Sequence, residues 1–192
     1  MQLNIGEYKN RDQYLAEAVA QVDRLAAMVN DVLRSGSVTE QALRQEKRLR
    51  IDKMVAEVVD DYMLPAKTRG MTFTVNAEPT TIRANRDMMR HVISNLVSNA
   101  VRHGDAGSVI KITCDQQQLA IENACKPLTK QQLQHVFDPF YRIPGVTKQH
   151  TDSSGIGLYT VKMLLDAKGL DYEFVPQGRG MRFAVRLPET DI

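Results

Sequence analysis

Near the start of the chain, apolar residues recur at alternating spacings of three and four positions. These residues are Leu15, Ala18, Val22, Leu25, Val29 and Val32. The spacing is typical of the apolar seam of a coiled coil or a helical bundle, and it predicts a helix over about residues 12–34. One helix cannot bury such a seam alone, so we expect a partner, either another part of this chain or a second copy of it. The Ser-Gly-Ser sequence at 35–37 predicts a linker after this helix.

From residue 49 onward, short apolar runs alternate with segments of helical periodicity. The predicted strands span residues 49–51, 71–75, 80–84, 109–114, 119–123, 172–175 and 182–187. The predicted helices begin at about residues 52, 87, 129 and 156. We expect Asp52 and Asp87 to be the N-caps of the first two helices, and Pro65 with Gly70 to mark the end of the first.

These elements predict an α+β fold, a two-layer α/β sandwich in which helices cover one face of a mixed sheet. We expect two units, a helical segment at 1–37 and an α+β domain at 38–192. The stretch 138–154 is polar, contains proline and glycine, and lacks periodicity. It therefore predicts a long functional loop rather than a packed element.

Composition and charge narrow the functional classes. The chain has 192 residues, 43% of them hydrophobic and 25% charged, which is ordinary for a soluble globular protein. A net charge of +2 gives no strong electrostatic case for nucleic acid as a partner. No apolar run approaches the roughly 20 residues that span a bilayer, so we expect no direct membrane contact. The two cysteines, Cys114 and Cys125, fit packed or free thiols in a reducing cytoplasm.

The helix predicted to begin at residue 87 has a polar stripe that suggests chemistry. His91, Asn95, Asn99 and Arg102 are spaced by three or four positions and therefore share one face. Apolar residues occupy the other face and are expected to pack on a sheet. A carboxamide oxygen is a hard ligand, suited to a magnesium ion that already carries phosphate oxygens. The alternative is that both asparagines are merely solvated residues of an amphipathic helix.

A second signal stands at the start of the last predicted helix, in the sequence Ser154-Gly155-Ile156-Gly157-Leu158. Two glycines at a helix start allow backbone N–H groups and the positive end of the helix dipole to approach an anion. A single G-x-G is a weak signal alone. Together with the asparagine stripe, it predicts a site for a nucleotide with magnesium.

The motifs in their order resemble the ATP-binding catalytic domain of bacterial sensor histidine kinases. They are the Asn95/Asn99 pair and the segments 137–142 (FDPFYR), 154–158 (SGIGL) and 178–183 (GRGMRF). The resemblance covers about residues 48–188, and several independently placed motifs make it specific. The seam at 12–34 is similarly like the second helix of that family's dimerisation and phosphotransfer hairpin.

The resemblance implies that ATP lies between the asparagine helix and the loop 138–154, which would act as a lid. Asn99 would coordinate Mg²⁺, with Asn95 beside it as the second catalytic residue. The other implied nucleotide-binding residues are Arg102, His103, Asn123, Leu128, Arg142, Ser154, Gly155, Ile156, Gly157 and Leu158. Among these, the cations and the backbone amides would hold phosphates, and Asn123 would accept from the adenine amino group. Phe137, Phe140 and Tyr141 would anchor the lid by packing.

The sequence departs from the family pattern at three places, the mildest of which is Ser153, where the lid's first glycine commonly stands. Asn123 stands where the family usually has an aspartate, and the glycines that follow that aspartate are replaced. The phosphoacceptor histidine is also missing. The four histidines lack the acidic neighbour and downstream proline of the family's histidine box; they are His91, His103, His135 and His150. We therefore expect a fragment of a longer kinase, whose acceptor histidine lies on a preceding helix.

For the longer protein, the resemblance implies a membrane-associated homodimer whose kinase portion is cytoplasmic. The γ-phosphoryl group of ATP would pass to the missing histidine and then to an aspartate of a response regulator. Two alternatives stay open. An ATPase of the same superfold would usually have a glutamate base where this chain has Asn95, and a carboxamide cannot take that proton. A non-catalytic dimerisation scaffold would no longer hold ATP.

Overall fold

The computed structural model describes residues 46–143 and 155–188. The helix predicted at 12–34, the linker after it and Ser154 lie outside the described residues. The strands are β1 (Lys47–Arg50), β2 (Thr72–Ala77), β3 (Thr81–Ala84), β4 (Val109–Cys114), β5 (Gln118–Ala124), β6 (Tyr172–Gln177) and β7 (Gly180–Arg186). The helices are α1 (Ile51–Thr68), α2 (Arg86–His103), α3 (Lys130–His135) and α4 (Gly157–Lys168).

The main sheet has five strands in the order β2-β4-β5-β7-β6. Strand β2 runs parallel to β4, and the other neighbours are antiparallel, so the sheet is mixed as predicted. A separate antiparallel ribbon pairs β1 with β3. The predicted hairpin joins β4 to β5, and the Asp115 carboxylate accepts from the amides of Gln117 and Gln118 at 2.8 Å in its turn.

One face of the sheet packs on helices and carries the core. Ile112 of β4, Ile121 of β5 and Phe183 of β7 are neighbours across the strands, and all are buried. They share one apolar cluster with the inward faces of α1, α2 and α4. The next residues along the strands, Lys111 and Glu122, alternate to the opposite face. The two-layer α+β sandwich is therefore confirmed.

Both predicted N-caps were wrong. Helix α1 begins at Ile51, directly after β1, so Arg50 occupies the N-cap position and Asp52 lies in the first turn. At α2 the N-cap is Asn85, whose side chain accepts from the Met88 amide at 3.0 Å, and Asp87 lies in the first turn. The helix dipole favours an acidic residue in the first turn. In the sequence, such a residue is easily taken for an N-cap.

The predicted end of α1, marked by Pro65 with Gly70, is confirmed to within a few residues, although the helix passes through Pro65 before it stops. The helix continues to Thr68 and is capped by Arg69. Ala66, the residue after the proline, is buried, and the hydroxyl groups of Tyr62 and Ser94 are 3.1 Å apart. Packing of this last turn against α2 therefore outweighs the local preference of proline to stop a helix.

Candidate functional site

The two signals that the sequence places far apart meet between α2 and α4. A Cβ atom built on Gly157 would lie 3.3 Å from the Asn95 side-chain oxygen and 3.8 Å from both polar atoms of the Asn99 side chain. The bare backbone at the start of α4 thus faces both carboxamides. Any side chain at position 157 would enter the space beside them.

The start of α4 offers backbone donors rather than side chains. Ile156 occupies the N-cap position and makes no side-chain cap hydrogen bond. The first amides of a helix have no partner within the helix, and the dipole makes that end positive. With the asparagines opposite, this end of α4 can receive an anion together with its metal ion.

The two ends of the long loop approach each other at Phe140 and Gly155. The amide of Phe140 donates to the Gly155 carbonyl at 3.1 Å. Gly155 has a φ of +72°, and a Cβ there would lie 2.9 Å from the Phe140 carbonyl carbon. Phe140 itself has a φ of +65°, a strained conformation for a bulky residue. Loop residues 144–154 lie outside the described residues.

The aromatic residues at the start of the loop differ in their packing. Phe137 contacts the rings of Tyr172, Phe174 and Phe183 edge-on, with centroid distances of 5.7 to 6.3 Å. Tyr141 lies 5.7 Å from the His135 ring. The side chain of Phe140 is 55% exposed, so the prediction that it anchors the loop by packing was wrong. The contact of Phe140 with Gly155 is made by its backbone.

The predicted adenine residues lie at the end of β5. Asn123 pairs with Met181 of β7, and the Leu128 amide donates to the Met181 sulfur at 3.4 Å, so these residues are close together. A Cβ on Gly180 would collide with the Asn123 carbonyl. Burial raises the pKa of the neighbouring Cys125 thiol, and a hydrogen bond with the Asn123 side chain opposes that rise.

Arg102 and His103 form the last turn of α2, one turn beyond Asn99, and the helix is capped by Gly104. Arg142 lies just before the undescribed part of the loop. Among the described residues, no three His, Cys, Asp or Glu side chains could together hold a metal ion.

Comparison with known proteins identifies the domain. Residues 84–191 match the model of the family described as histidine kinase-, DNA gyrase B-, and HSP90-like ATPase. The chain belongs to this ATPase family. Members use ATP, and the matched span contains α2, the long loop and α4, the three parts of the site described above.

Similar members of the ATPase family are sensor kinases. The chain is 32% identical over 188 residues to the sensor histidine protein kinase HK06 of Streptococcus pneumoniae, a span that covers 97% of this chain and 42% of HK06. The chain spans about two fifths of the length of the curated relatives that it matches.

Solved structures show the same fold. The histidine kinase AdeS of Acinetobacter baumannii superposes with a TM-score of 0.71 at 21% identity, covering 98% of this chain and 88% of that one. The histidine kinase ThkA, in complex with the response regulator protein TrrA, gives a TM-score of 0.68 at 18% identity and covers 97% of this chain and 53% of that one.

Sequence reasoning missed two contacts beside the candidate site. Met181 joins Asn123 to Leu128, and Arg69 contacts the end of α2 from another helix. The glycines at 178 and 180 were a signal for the first, because a turn with close strand approach brings the β7 residue beside Asn123. No sequence signal indicated the contact of Arg69, because its partners lie more than 30 residues away along the chain.

Proposed function

We propose that this chain binds ATP with Mg²⁺ between α2 and α4 and is the phosphoryl-donating part of a two-component sensor histidine kinase. The observation that carries the proposal is the approach of Gly157 to the Asn95 and Asn99 side chains. Family membership supports the use of ATP. The similarity to HK06 over nearly the whole chain supports a sensor kinase rather than another member of the family.

The residues present fit a magnesium ion bound to a nucleotide. Asn99 would ligate the ion, with Asn95 beside it, because neutral carboxamide oxygens suit Mg²⁺ that is also held by phosphates. The space that a Cβ on Gly157 would occupy is open beside both side chains. When bound, the ion supplies charge neutralisation and orientation of the phosphates.

The chain's own residues would hold the rest of the nucleotide. The amides at the start of α4, from Gly155 to Leu158, would donate to phosphate oxygens, and Ser154 would extend that set. Arg102, His103 and Arg142 would add cationic or polar donors around the phosphates. These donors would stabilise the charge on the transferred phosphoryl group, which is the main demand of phosphoryl transfer.

The base would lie at the end of β5. The Asn123 carboxamide oxygen can accept from the adenine amino group, as an aspartate would. Leu128 would cover the ring, since its amide is held by Met181 next to Asn123.

In the reaction that we propose, a ring nitrogen of a histidine on the dimerisation helix attacks the γ-phosphorus. The bond to the β–γ bridging oxygen breaks, and ADP leaves. The phosphoryl group then passes to an aspartate of a response regulator, a partner supported by the complex of ThkA with TrrA. None of this chain's histidines has the family's phosphoacceptor context, so we propose an acceptor outside it.

For the arrangement of the whole protein, we propose a helical unit at 1–37 that forms a homodimer, followed by the nucleotide domain at 38–192. The kinase portion would work in the cytoplasm, with neither nucleic acid nor lipid as a direct partner of this chain. Among residues 46–143 and 155–188, no helix combines the length and apolarity needed to cross a membrane.

The test is a calorimetric titration of a non-hydrolysable ATP analogue into this chain, with and without Mg²⁺. We expect saturable binding that strengthens with Mg²⁺, and loss of that strengthening in Asn99→Ala. Asn76→Ala is the matched control, because Asn76 is exposed on the edge strand β2. A folded chain that binds no nucleotide would contradict the proposal and favour a dimerisation scaffold. Steady ATP hydrolysis would instead favour an ATPase.

A further inference from the structure

Arg69 follows α1 and reaches across to the end of α2. Its guanidinium donates to the carbonyl oxygens of Val101, Arg102 and Gly104, at 2.6 Å for Arg102 and 2.9 Å for Gly104. These carbonyls belong to the last turn of α2 and to its C-cap. One side chain from another helix therefore satisfies the end of the helix that carries the asparagines.

The geometry of Gly104 explains why α2 needs this support. A helix commonly ends on a left-handed glycine, which lets following amides bond the last carbonyls. Gly104 instead has φ −67° and ψ 154°, an extended conformation. A Cβ there would lie 2.5 Å from the Met71 methyl carbon and 2.7 Å from the Ala100 carbonyl oxygen. The chain thus leaves α2 in an extended conformation and in close packing. Arg69 supplies hydrogen-bond donors to the last carbonyl groups of the helix.

The segment that follows α2 connects Arg69 with the proposed adenine site through two backbone hydrogen bonds. The Gly107 amide donates to the Arg69 carbonyl at 3.0 Å, so the segment is hydrogen-bonded to the backbone of this residue. Within the same segment, the Asp105 amide donates to the Ala124 carbonyl at 2.8 Å. Ala124 directly follows Asn123 at the end of β5. Arg69 is thus tied to the last turn of α2 and, through this segment, to the end of β5.

We propose that Arg69 is a positioning residue for the nucleotide, which holds Arg102 and His103 at a set distance from Asn123. The inference rests on the proposed function, because these groups are its phosphate and adenine contacts. Arg69 itself would touch neither. The arginine guanidinium offers N–H donors on several nitrogens in one plane, whereas a lysine would retain the charge but carry all its donors on one nitrogen.

The test uses the same chain and titration, with Arg69→Gln and with Lys67→Gln as the matched control. Lys67 is a cation in the last turn of α1 and is exposed. Loss of charge-assisted hydrogen bonds should weaken binding of the ATP analogue by about 10-fold in Arg69→Gln. The control should bind like the parent chain. If the parent chain does not bind, the proposed function fails and takes the inference with it.

A parent chain that binds, with Arg69→Gln folded and equally tight, would overturn the inference alone. Hydrogen exchange supplies a readout of the coupling. The Asp105 amide should exchange faster in Arg69→Gln, whereas the amides of the β4–β5 ladder should not change. Arg69→Lys keeps the charge and the long stem if the glutamine variant does not fold. Full binding in Arg69→Lys would rule out a role for the planar guanidinium, and weakened binding would support it.

Discussion

The two sides of the candidate site are built in different ways. The α2 side presents side chains, Asn95 and Asn99, from a helix whose opposite face is buried in the core. The α4 side presents backbone, from glycines whose lack of a side chain keeps the space open. A change on the first side removes a carboxamide group, whereas a change on the second adds a side chain to the space between α2 and α4. Tolerance to substitution should therefore differ between them.

The same contrast applies to how each side is held. Asn85 caps the start of α2, and Arg69 donates to its end. The start of α4 has no side-chain cap, and the adjoining loop ends meet through Phe140 and Gly155, both with positive φ. Strained backbone of this kind is found where a site requires it. The start of α2 is therefore held by a side-chain cap, whereas the backbone beside the start of α4 is held by contacts between the loop ends.

The largest effect should come from adding a side chain to the backbone side. Gly157→Val should weaken binding of the Mg²⁺–ATP analogue by about 10- to 100-fold, because overpacking typically costs 1–3 kcal/mol. Gly157→Ala should have a smaller effect, since its Cβ would meet only the Asn95 oxygen closely, at 3.3 Å. The measurement is titration calorimetry, with thermal unfolding to show that both variants fold. Equal binding by all three chains would show that position 157 does not face the nucleotide.

A smaller effect, on stability alone, should follow from changes at Asp52. Its carboxylate accepts two hydrogen bonds from Arg50 at 2.6 and 2.8 Å, which lower its pKa to about 2. A lowered folded-state pKa stabilises the fold above the unfolded pKa of about 3.9. We expect Asp52→Asn to lower the free energy of unfolding by about 1 kcal/mol at pH 7.

That stabilisation should disappear as the pH falls from about 4 towards 2, where the folded carboxyl group becomes protonated. Denaturant unfolding at several pH values measures the difference between the parent chain and Asp52→Asn. Nucleotide affinity should be unchanged at pH 7, because Asp52 lies at the far start of α1. A stability difference that stays constant down to pH 2 would contradict this account.

The smallest effect should come from the ion pairs between α1 and α2. Arg90 lies 3.2 Å from Glu57 and 2.7 Å from Asp61, and all three side chains are at least 40% exposed. Exposed pairs contribute about 0–1 kcal/mol, so Arg90→Ala should change the free energy of unfolding by less than about 1 kcal/mol. Denaturant unfolding at low and high salt measures it. A loss of several kcal/mol would mean that this pair holds α2 in place.

Much of the fold was predictable because its signals are local. The strands at 109–114 and the hairpin that follows were predicted from alternation and turn residues, and the structure confirms them. The errors at Asp52 and Asp87 concern the first residues of helices, where each aspartate lies in the first turn rather than at the N-cap. The N-cap of α2 is Asn85, two residues before Asp87, and asparagine and aspartate are about equally favoured at that position, so residue type alone does not separate them.

The site divides in the same way. The polar stripe of α2 and the glycines of α4 were identifiable from spacing, and the roles assigned to them remain predictions. The exposure of Phe140 was not predictable, because aromatic residues usually pack. The backbone hydrogen bond between Phe140 and Gly155 forms only in the tertiary structure. Nor was Met181 expected beside Leu128, since that contact depends on the register between β5 and β7.

By itself, the sequence determined the order of the elements and the buried faces of α1 and α2, and it placed two carboxamide side chains on the other face of α2. Periodicity, turn residues and composition act over a few positions and can be read directly. Only the tertiary structure decided that Gly157 lies against Asn95, and that Arg69 supports carbonyls 32 to 35 residues away. Such contacts arise when helices pack on a common sheet, because packing joins segments whose separation along the chain carries no local signal.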